Sequence, residues 1–294
     1  MIELNPFIKE LSNKLRSSLI SELLAEQEAW WMLEALTGKS KAMLCAMRSF
    51  QLSPEQHVQL EQWITQRVKQ KKPLQYILGS VPFCGLTIRV RPPILIPRPE
   101  TEEWTTWLIE LFKKYDYGSL RILDLCSGTG CIGLALAHHF PQAQVISVDI
   151  NPDAIALAQE NKTLNNLTNI QFIESNLYAQ LTDQKFDLIV TNPPYLSIAE
   201  YEKISDDVKQ WEDMRALVAQ DRGMQLYHQI IAQAQSYLDI ANDKRNKEQL
   251  PVLVCEIGPA QIKSIEELFK KYGFKKYKLM NDLQGVSRWI VGYI

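Results

Sequence analysis

The sequence predicts an α/β protein in which an all-helical amino-terminal domain precedes a seven-stranded, mostly parallel sheet. Two patterns indicate this architecture: residues 1–72 show only helical spacing of apolar residues, and strand-like apolar segments alternate with helical patterns from about residue 101 onward. Near-continuous apolar strands that are separated by helices are typical of a parallel sheet covered on both faces. The length of 294 residues is sufficient for two domains.

The composition excludes several classes of protein. Hydrophobic residues make up 46% of the chain and charged residues 22%, so the chain can bury a core and is not disordered. The net charge of −2 gives no general attraction to nucleic acid or to an anionic membrane. No apolar run approaches the roughly 18–20 residues that cross a bilayer, and the amino terminus does not read as a secretory signal. We therefore expect a cytoplasmic protein with no membrane partner, and we also predict that it is a monomer.

Two helices of the amino-terminal domain can be placed from local signals. Apolar residues at helical spacing predict a helix that ends at Gly38, because glycine suits the position after the last helical residue. The run Ser53-Pro54-Glu55-Gln56 predicts the start of a later helix. The hydroxyl of Ser53 is the N-cap, Pro54 takes the first helical position and the side chain of Gln56 can complete a capping box.

The rest of the chain divides into a connector and a sheet domain. Residues 73–100 contain five prolines between Pro82 and Pro99, which exclude a continuous helix, and the alternation around Ile88 predicts a short β-hairpin. Residues 101–294 form the predicted sheet domain, in which the polar stretch 241–250 is an expected loop. The predicted strands are residues 120–125, 145–149, 170–174, 186–191, 252–256, 276–280 and 288–293.

A glycine-rich turn follows the first predicted strand. Glycines occupy positions 128, 130 and 133 between this strand and a helical pattern, and they allow the backbone to turn tightly and to approach a ligand. Asp149 ends the second predicted strand about 20 residues later, where a carboxylate can bind the two hydroxyls of a ribose. This arrangement predicts a Rossmann-like site for an adenosine-containing ligand, either a dinucleotide or S-adenosylmethionine.

The charge of Asp124 favours S-adenosylmethionine. This residue lies four positions before Gly128, beside the part of the ligand that is next to the turn. A carboxylate there would repel a pyrophosphate. It would attract the ammonium group of a methionine moiety, and a sulfonium is itself a cation. We therefore predict that Asp124 and Asp149 both belong to the cofactor site.

The fourth predicted strand ends in the tetrapeptide Asn192-Pro193-Pro194-Tyr195, at the same edge of the sheet. The two prolines fix the backbone and remove two N–H donors, so that carbonyl acceptors remain. The amide oxygen of Asn192 is a further acceptor, and the ring of Tyr195 offers a flat face. Together they predict a receptor for a planar NH₂ group, in which two acceptors take the two protons and the ring stacks on the plane.

This receptor fits methyl transfer to a nitrogen that is a poor nucleophile. An amide or aromatic amine nitrogen has a delocalised lone pair. Holding both N–H protons toward acceptors aims that lone pair at a sulfonium methyl, and close in-line placement adds a large proximity effect. We assign catalysis to Asn192, Pro193 and Tyr195. No pair of the five cysteines has the two-residue spacing of a zinc knuckle, and we expect no metal.

These motifs resemble those of class I S-adenosylmethionine-dependent methyltransferases that modify amino nitrogens. Over nearly its full length, the chain more specifically resembles the peptide chain release factor glutamine methyltransferase family. Generic methyltransferases lack the run Ile-Pro-Arg-Pro-Glu-Thr-Glu that ends at residue 102. The stretches that carry the narrower resemblance are residues 75–79, 94–102, 151–154, 256–258 and 282–288.

The resemblance implies transfer of a methyl group from S-adenosylmethionine to the side-chain amide of the glutamine in the Gly-Gly-Gln motif of class-1 release factors, in translation termination. It implies substrate contacts at Asn192, Pro193, Pro194 and Tyr195. The implied cofactor contacts, together with Asp124 and Asp149, are Cys126, Ser127, Gly128, Thr129, Gly130, Asn176, Leu177 and Asn192. At positions 176 and 177 the family commonly has aspartate followed by a larger residue, and residues 211–213 also depart from its pattern.

The amino-terminal helices are assigned, as a hypothesis, to docking of the release factor. The reason is that residues 1–72 form an apolar unit outside the catalytic sheet and carry Trp30 and Trp31. Packing of these helices on each other for stability is the alternative reading. The expected partners are therefore class-1 release factors, with no direct contact to DNA.

Two other functions compete with this interpretation. A DNA adenine methyltransferase shares the tetrapeptide because adenine also presents a planar NH₂ group. However, an enzyme that flips a base out of DNA usually carries a basic surface, which the net charge of −2 does not indicate. A nucleoside-binding module without catalysis is the second alternative. The intact tetrapeptide argues against it, and only a methyl-transfer assay separates the two.

Overall fold

The structure, a computed structural model, describes residues 2–16, 21–115, 119–239, 250–274 and 276–294. The chain divides into a first unit, Met1–Gly79 with Asp206–Trp211, and a second unit, Ser80–Ser205 with Glu212–Ile294. The predicted loop at 241–250 lies outside the described residues except for its last residue. Within the described ranges, none of the helices combines the length and the apolar character that a membrane span requires.

The first unit is helical, and its local signals act as the sequence predicts. The hydroxyl of Ser53 accepts the N–H of Gln56, and the side chain of Gln56 returns to the backbone of Ser53. Gly38 adopts a left-handed conformation with φ 67° and ends a helix. The elements are β1 (Ile2–Glu3), α1 (Leu4–Leu15), α2 (Glu22–Thr37), α3 (Lys41–Met47), β2 (Ser49–Phe50), α4 (Pro54–Lys69) and α5 (Leu74–Leu78).

The core of the first unit extends beyond the predicted domain boundary at residue 72. Leu15 and Leu33 are fully buried in this core, and Leu74 of α5 is buried in the same cluster. The unit therefore continues to Gly79. Of the two adjacent tryptophans, Trp30 belongs to this core, whereas Trp31 is 38% exposed.

A buried ion pair and an inserted segment complete the first unit. Arg67 donates to both carboxylate oxygens of Glu28, at 2.8 and 2.9 Å. The carboxylate of Asp207 lies 3.9 Å from the same guanidinium, and the indole of Trp211 donates to the carbonyl of Gln70 at 3.2 Å. These contacts explain why residues 206–211 belong to the first unit although they are far from it in sequence.

The second unit begins with the predicted hairpin, β3 (Ser80–Phe83) paired antiparallel with β4 (Leu86–Arg89). Helix α6 (Pro99–Lys113) follows. The remaining elements, in chain order, are β5 (Arg121–Leu125), α7 (Cys131–His139), β6 (Gln144–Asp149), α8 (Pro152–Leu164), β7 (Ile170–Glu174), β8 (Leu188–Thr191), α9 (Ile198–Tyr201), α10 (Asp206–Trp211, in the first unit), α11 (Gln225–Tyr237), β9 (Leu253–Glu256), α12 (Ile262–Lys271), β10 (Lys276–Asn281) and β11 (Ser287–Tyr293).

The seven-stranded sheet has the order β10-β11-β9-β8-β5-β6-β7. Strands β5 to β9 are parallel, and β11 is antiparallel to both of its neighbours. Apolar clusters cover both faces of this sheet, so the predicted fold class is confirmed. After β7 the chain crosses to the other side of β5, and this topological switch point opens a crevice at the carboxyl ends of the strands.

Candidate active site

The carboxyl ends of β5, β6 and β8 bring the motifs identified in the sequence to one edge of the sheet. β5 leads into the glycine turn, β6 ends at Asp149, and β8 is followed directly by Asn192. Since β5 pairs in parallel with both β6 and β8, these three ends are neighbours. The sequence therefore predicted correctly that the glycine turn, the acidic residue and the tetrapeptide share one crevice.

The glycines of the turn serve different purposes. Gly128 has φ 54°, and no described atom lies within 4 Å of the position that a Cβ would take, so a ligand can approach its backbone. At Gly130, a Cβ would lie 2.9 Å from the ring of Phe172. At Gly133, it would collide with the hydroxyl of Ser147. The first of the three glycines therefore leaves open space for a ligand beside its backbone, and the other two permit close packing of neighbouring side chains.

Asp124 is completely buried behind the turn. One carboxylate oxygen, Oδ2, accepts the N–H of Gly133 at 3.0 Å and the hydroxyl of Ser147 at 3.1 Å. The other, Oδ1, is buried and has no hydrogen-bond partner among the described residues. Burial raises the pKa of Asp124 to about 7, because desolvation disfavours the charged form. A cation that paired with this carboxylate would offset the cost of burying it.

Asp149 is fixed by backbone donors on both sides. Its Oδ2 accepts the N–H of Gly128 at 2.8 Å, and its Oδ1 accepts the N–H of Asn151 at 2.9 Å. Burial raises the pKa of this carboxyl, whereas the two backbone hydrogen bonds oppose the change. Each oxygen of a carboxylate has a second lone pair, so the fixed group can still accept hydroxyl donors from a ligand.

The other predicted cofactor residues differ in exposure. Ser127 and Thr129 are buried, and Cys126 has a left-handed backbone with φ 59°. Asn176 is exposed, whereas Leu177 is only 7% exposed and its side chain packs in the core on that face of the sheet. Of this pair, Asn176 therefore has the more accessible side chain.

The amide of Asn192 is oriented by a chain of buried side chains. Its Nδ2 donates to Oγ1 of Thr101 at 3.1 Å. The hydroxyl of Thr101 donates to Oε2 of Glu256 at 2.6 Å, and the indole of Trp104 donates to the same oxygen at 2.8 Å. The nitrogen end of the Asn192 amide is thus engaged by the protein, so its oxygen is the end that can accept from a substrate.

Tyr195 is held on both its backbone and its ring. Gln261 donates from Nε2 to the Tyr195 carbonyl at 3.0 Å. A Cβ at Gly258 would lie 3.0 Å from the ring, and one at Gly223 would collide with the same carbonyl. Burial raises the pKa of Tyr195, so the phenol stays neutral at physiological pH.

Charged side chains from two family stretches surround this ring. Arg98, Glu100 and Arg288 all act electrostatically on Tyr195. Arg288 donates to Asp282 at 2.8 Å and lies 3.9 Å from the carboxylate of Glu100. The stretches 94–102 and 282–288 therefore meet beside the tetrapeptide, although the sequence alone gave their residues no role.

Sequence reasoning also missed the roles of Thr101, Trp104, Glu256 and Gln261. One signal was present for Glu256, which ends the otherwise apolar strand Leu253–Glu256. A charged residue that is only 3% exposed requires partners. Its position at the carboxyl end of β9, next to β8, places it behind the tetrapeptide.

Comparisons with known proteins identify the class to which the chain belongs. Residues 100–209 match the methyltransferase small domain, and residues 8–79 match the PrmC N-terminal domain. The fold is similar to that of the hMettl16 catalytic domain in complex with a 3′UTR hairpin, with a TM-score of 0.52 and 16% identity over 83% of each chain. The fold and the site thus define a methyltransferase.

Sequence relatives narrow this class. The chain is 39% identical to the release factor glutamine methyltransferase of Flavobacterium psychrophilum over 93% of both chains. It is 37% identical to the protein of the same name from Escherichia coli, over 93% of this chain and 95% of that one. The chain belongs to the release factor glutamine methyltransferase family.

Proposed function

We propose that this protein transfers a methyl group from S-adenosylmethionine to the side-chain amide nitrogen of the glutamine in the Gly-Gly-Gln motif of class-1 release factors. The reaction would serve translation termination and would therefore take place in the cytoplasm. The observation that carries the proposal is the fixed orientation of the Asn192 amide at the carboxyl end of β8. The names of the two relatives support the identity of the substrate.

The amide side of the site is suited to a primary carboxamide. Oδ1 of Asn192 and a backbone carbonyl of the Pro193-Pro194 pair supply two acceptors for two N–H protons. The neutral ring of Tyr195 supplies a flat surface on which the amide plane can stack. With both protons held in this way, the lone pair of the nitrogen is directed away from the acceptors and toward the glycine turn.

The cofactor side of the site is suited to a cationic nucleoside. S-adenosylmethionine, when bound, supplies a methyl group on a positively charged sulfur. Asp149 would accept the ribose hydroxyls, Asp124 would interact with the ammonium group, and the open space at Gly128 would admit the ligand to the backbone. Asn176 and Leu177 would border the adenine.

The transfer needs no strong base before the attack. The amide nitrogen would form a bond to the methyl carbon while the bond from that carbon to sulfur breaks; the sulfur keeps the electron pair of that bond, and the leaving group is neutral S-adenosylhomocysteine. The nitrogen then carries a positive charge and becomes acidic, so its proton passes to water. The contribution of the protein is to hold the nitrogen within about 3–3.5 Å of the methyl carbon, in line with the breaking bond.

The direct test combines the purified protein with a purified class-1 release factor and methyl-labelled S-adenosylmethionine. After digestion, we expect the label on the peptide that contains Gly-Gly-Gln, on the glutamine side chain. A release factor in which alanine replaces that glutamine is the matched control and should stay unlabelled. Label on another residue, or none, contradicts the proposal.

A second arm of the same experiment addresses the DNA adenine methyltransferase. Duplex DNA that contains adenine in varied sequence contexts replaces the release factor as substrate. We expect no incorporation of label into this DNA. Incorporation into adenine, with none in the release factor, would favour the alternative instead.

We further propose that the first unit docks the release factor. Support comes from apolar side chains that this unit exposes on α2 and α3. Leu23 is 80% exposed and Trp31 38% on α2, and Met43 and Met47 are 56% and 46% exposed on α3. Because Trp30 belongs to the core, the contribution of the tryptophan pair to docking rests on Trp31.

A further inference from the structure

Three buried polar side chains lie directly behind Asn192 and are not among the groups proposed to contact the substrate or the cofactor. Thr101 is 2% exposed, Glu256 is 3% exposed and Trp104 is completely buried. Thr101 and Trp104 lie three residues apart near the start of α6, so they are neighbours on one face of that helix. Glu256 lies at the end of β9 and joins the two.

The direction of each hydrogen bond in this cluster can be derived from its donors. An indole nitrogen can only donate, so Oε2 of Glu256 accepts from Trp104. The same oxygen also accepts the hydroxyl proton of Thr101; burial raises the pKa of Glu256, and the hydrogen bonds from Thr101 and Trp104 oppose this because they favour the carboxylate that accepts both. Once that single proton is committed, Oγ1 of Thr101 can offer only a lone pair to its other neighbour.

The lone pair of Thr101 then selects one of the two orientations of the Asn192 amide. Nδ2 must face Thr101, because only this end of the amide can donate to the lone pair, and it lies 3.1 Å from Oγ1. The terminal torsion of asparagine is otherwise broad and roughly two-fold. In the flipped orientation the amide would present N–H donors to the N–H donors of a substrate carboxamide, and that arrangement cannot bind.

We infer that Thr101, supported by Glu256 and Trp104, is a positioning residue that keeps the oxygen of the Asn192 amide directed at the substrate nitrogen. This inference rests on the proposed function, in which Asn192 accepts a proton of the substrate amide. Buried polar groups that are fully paired hold their neighbours in one arrangement. Glu256 accepts from both Trp104 and Thr101. Thr101 can then only accept from Asn192, and this fixes the amide of Asn192 with its oxygen toward the substrate.

The test begins with Thr101→Val, which keeps the shape of the side chain and removes its hydroxyl. We expect kcat for release-factor methylation to fall about 10- to 100-fold, since small errors of placement have effects of this order. The Kd of S-adenosylmethionine should stay within about twofold, because Thr101 contacts neither Asp124 nor Asp149. Thr101→Ser, which restores the hydroxyl, should return kcat to within about threefold of wild type.

A double-mutant cycle separates positioning from a general effect on the fold. If Thr101 acts through Asn192, adding Thr101→Val to Asn192→Ala should change kcat little further. A purely structural role predicts that the two losses multiply. Should the valine variant fail to fold, Thr101→Ala replaces it, with the same expectation in both backgrounds.

The possible outcomes distinguish this inference from the function on which it rests. A wild-type protein that does not label the release factor overturns both. A wild-type protein that labels the expected glutamine, together with a Thr101→Val variant of equal kcat, overturns only the positioning role. A serine variant as impaired as the valine variant also overturns it, since the hydroxyl would then not be the group that matters.

Discussion

The two halves of the candidate site are held in place in different ways. On the cofactor side, Asp149 is fixed by the backbone N–H groups of Gly128 and Asn151, and the latter is only two residues away. On the amide side, Asn192 is fixed by Thr101, which is 91 residues away, and Thr101 by Glu256, which is 155 residues from it. The cofactor half is thus built within one βαβ unit and depends on main-chain donors. The amide half depends on side chains that only the folded second unit brings together.

This difference leads to distinct expectations for substitutions. Changes on the cofactor side should alter the affinity for S-adenosylmethionine and leave the chemical step largely intact once the site is saturated. Changes on the amide side should lower kcat for methyl transfer and leave the affinity for S-adenosylmethionine largely intact. A variant that altered both quantities equally would contradict the division of the site into two independently held halves.

The largest effect is expected for Asn192→Ala. The substitution removes the oriented acceptor, so kcat for release-factor methylation should fall on the order of 10²-fold or more. The Kd of S-adenosylmethionine, measured by calorimetry, should change little. A variant that retains kcat within tenfold of wild type would count strongly against the role of the tetrapeptide.

The reverse pattern is expected for Asp149→Ala. Loss of the charged acceptor removes roughly 1.5–3 kcal/mol of binding free energy, which is about a 10- to 150-fold rise in the Kd of S-adenosylmethionine. At saturating cofactor, kcat should stay near the wild-type value. Asp153→Ala is a suitable control, because Asp153 carries the same group in the first turn of α8, where it is exposed. An unchanged Kd for Asp149→Ala would place the ribose elsewhere.

The pH dependence of cofactor affinity tests Asp124. Because burial raises its pKa to about 7, the free protein holds a growing fraction of this carboxyl in the neutral form as the pH falls. A cationic ligand binds the ionised form, so the proton must leave on binding and the Kd rises at lower pH. Between about pH 7 and pH 6 we expect a rise of roughly fivefold, because in this range an α-amino group with a pKa of about 7.7–8.0 stays mostly protonated and only the carboxyl titrates.

The variant Asp124→Asn provides the control for this titration. It removes the titrating group, so the affinity should be weaker at pH 7.5 and nearly independent of pH. The pKa of Asp149 is also raised by burial, so a pH dependence that persisted in Asp124→Asn would assign the effect to that residue instead.

The contrast between the two halves also explains which features of the site could be predicted from the sequence. The strands, the glycine turn and Asp149 were predictable because local patterns specify them: apolar runs, glycine spacing and an acidic residue at a strand end. The tetrapeptide was predictable for the same reason. The contacts of Thr101 and Glu256 were not, because a hydrogen bond between side chains 155 positions apart leaves no periodic signal in one sequence.

In the first unit, too, local signals were predictable from the sequence and contacts between distant residues were not. Its capping box and its terminal glycine were predictable from four residues or fewer. The membership of residues 206–211 was not, since it depends on contacts such as that of Trp211 with Gln70, 141 positions away. Helical spacing also could not separate Trp30 from Trp31, because adjacent residues differ in burial only once the helix has neighbours.

The smallest effect is expected outside both halves, at the exposed face of α2. The double variant Leu23→Ser/Trp31→Ser removes two apolar side chains that are 80% and 38% exposed. If this face docks the release factor, the KM for the release factor should rise about 5- to 30-fold, as for contacts worth roughly 1–2 kcal/mol. The kcat and the Kd of S-adenosylmethionine should stay unchanged. Val58→Ser on α4, also in the first unit and 58% exposed, is the matched control. An unchanged KM in the double variant, or an equal rise in the control, would exclude α2 as the docking face. The roles proposed for the two halves of the active site would not be changed by that result.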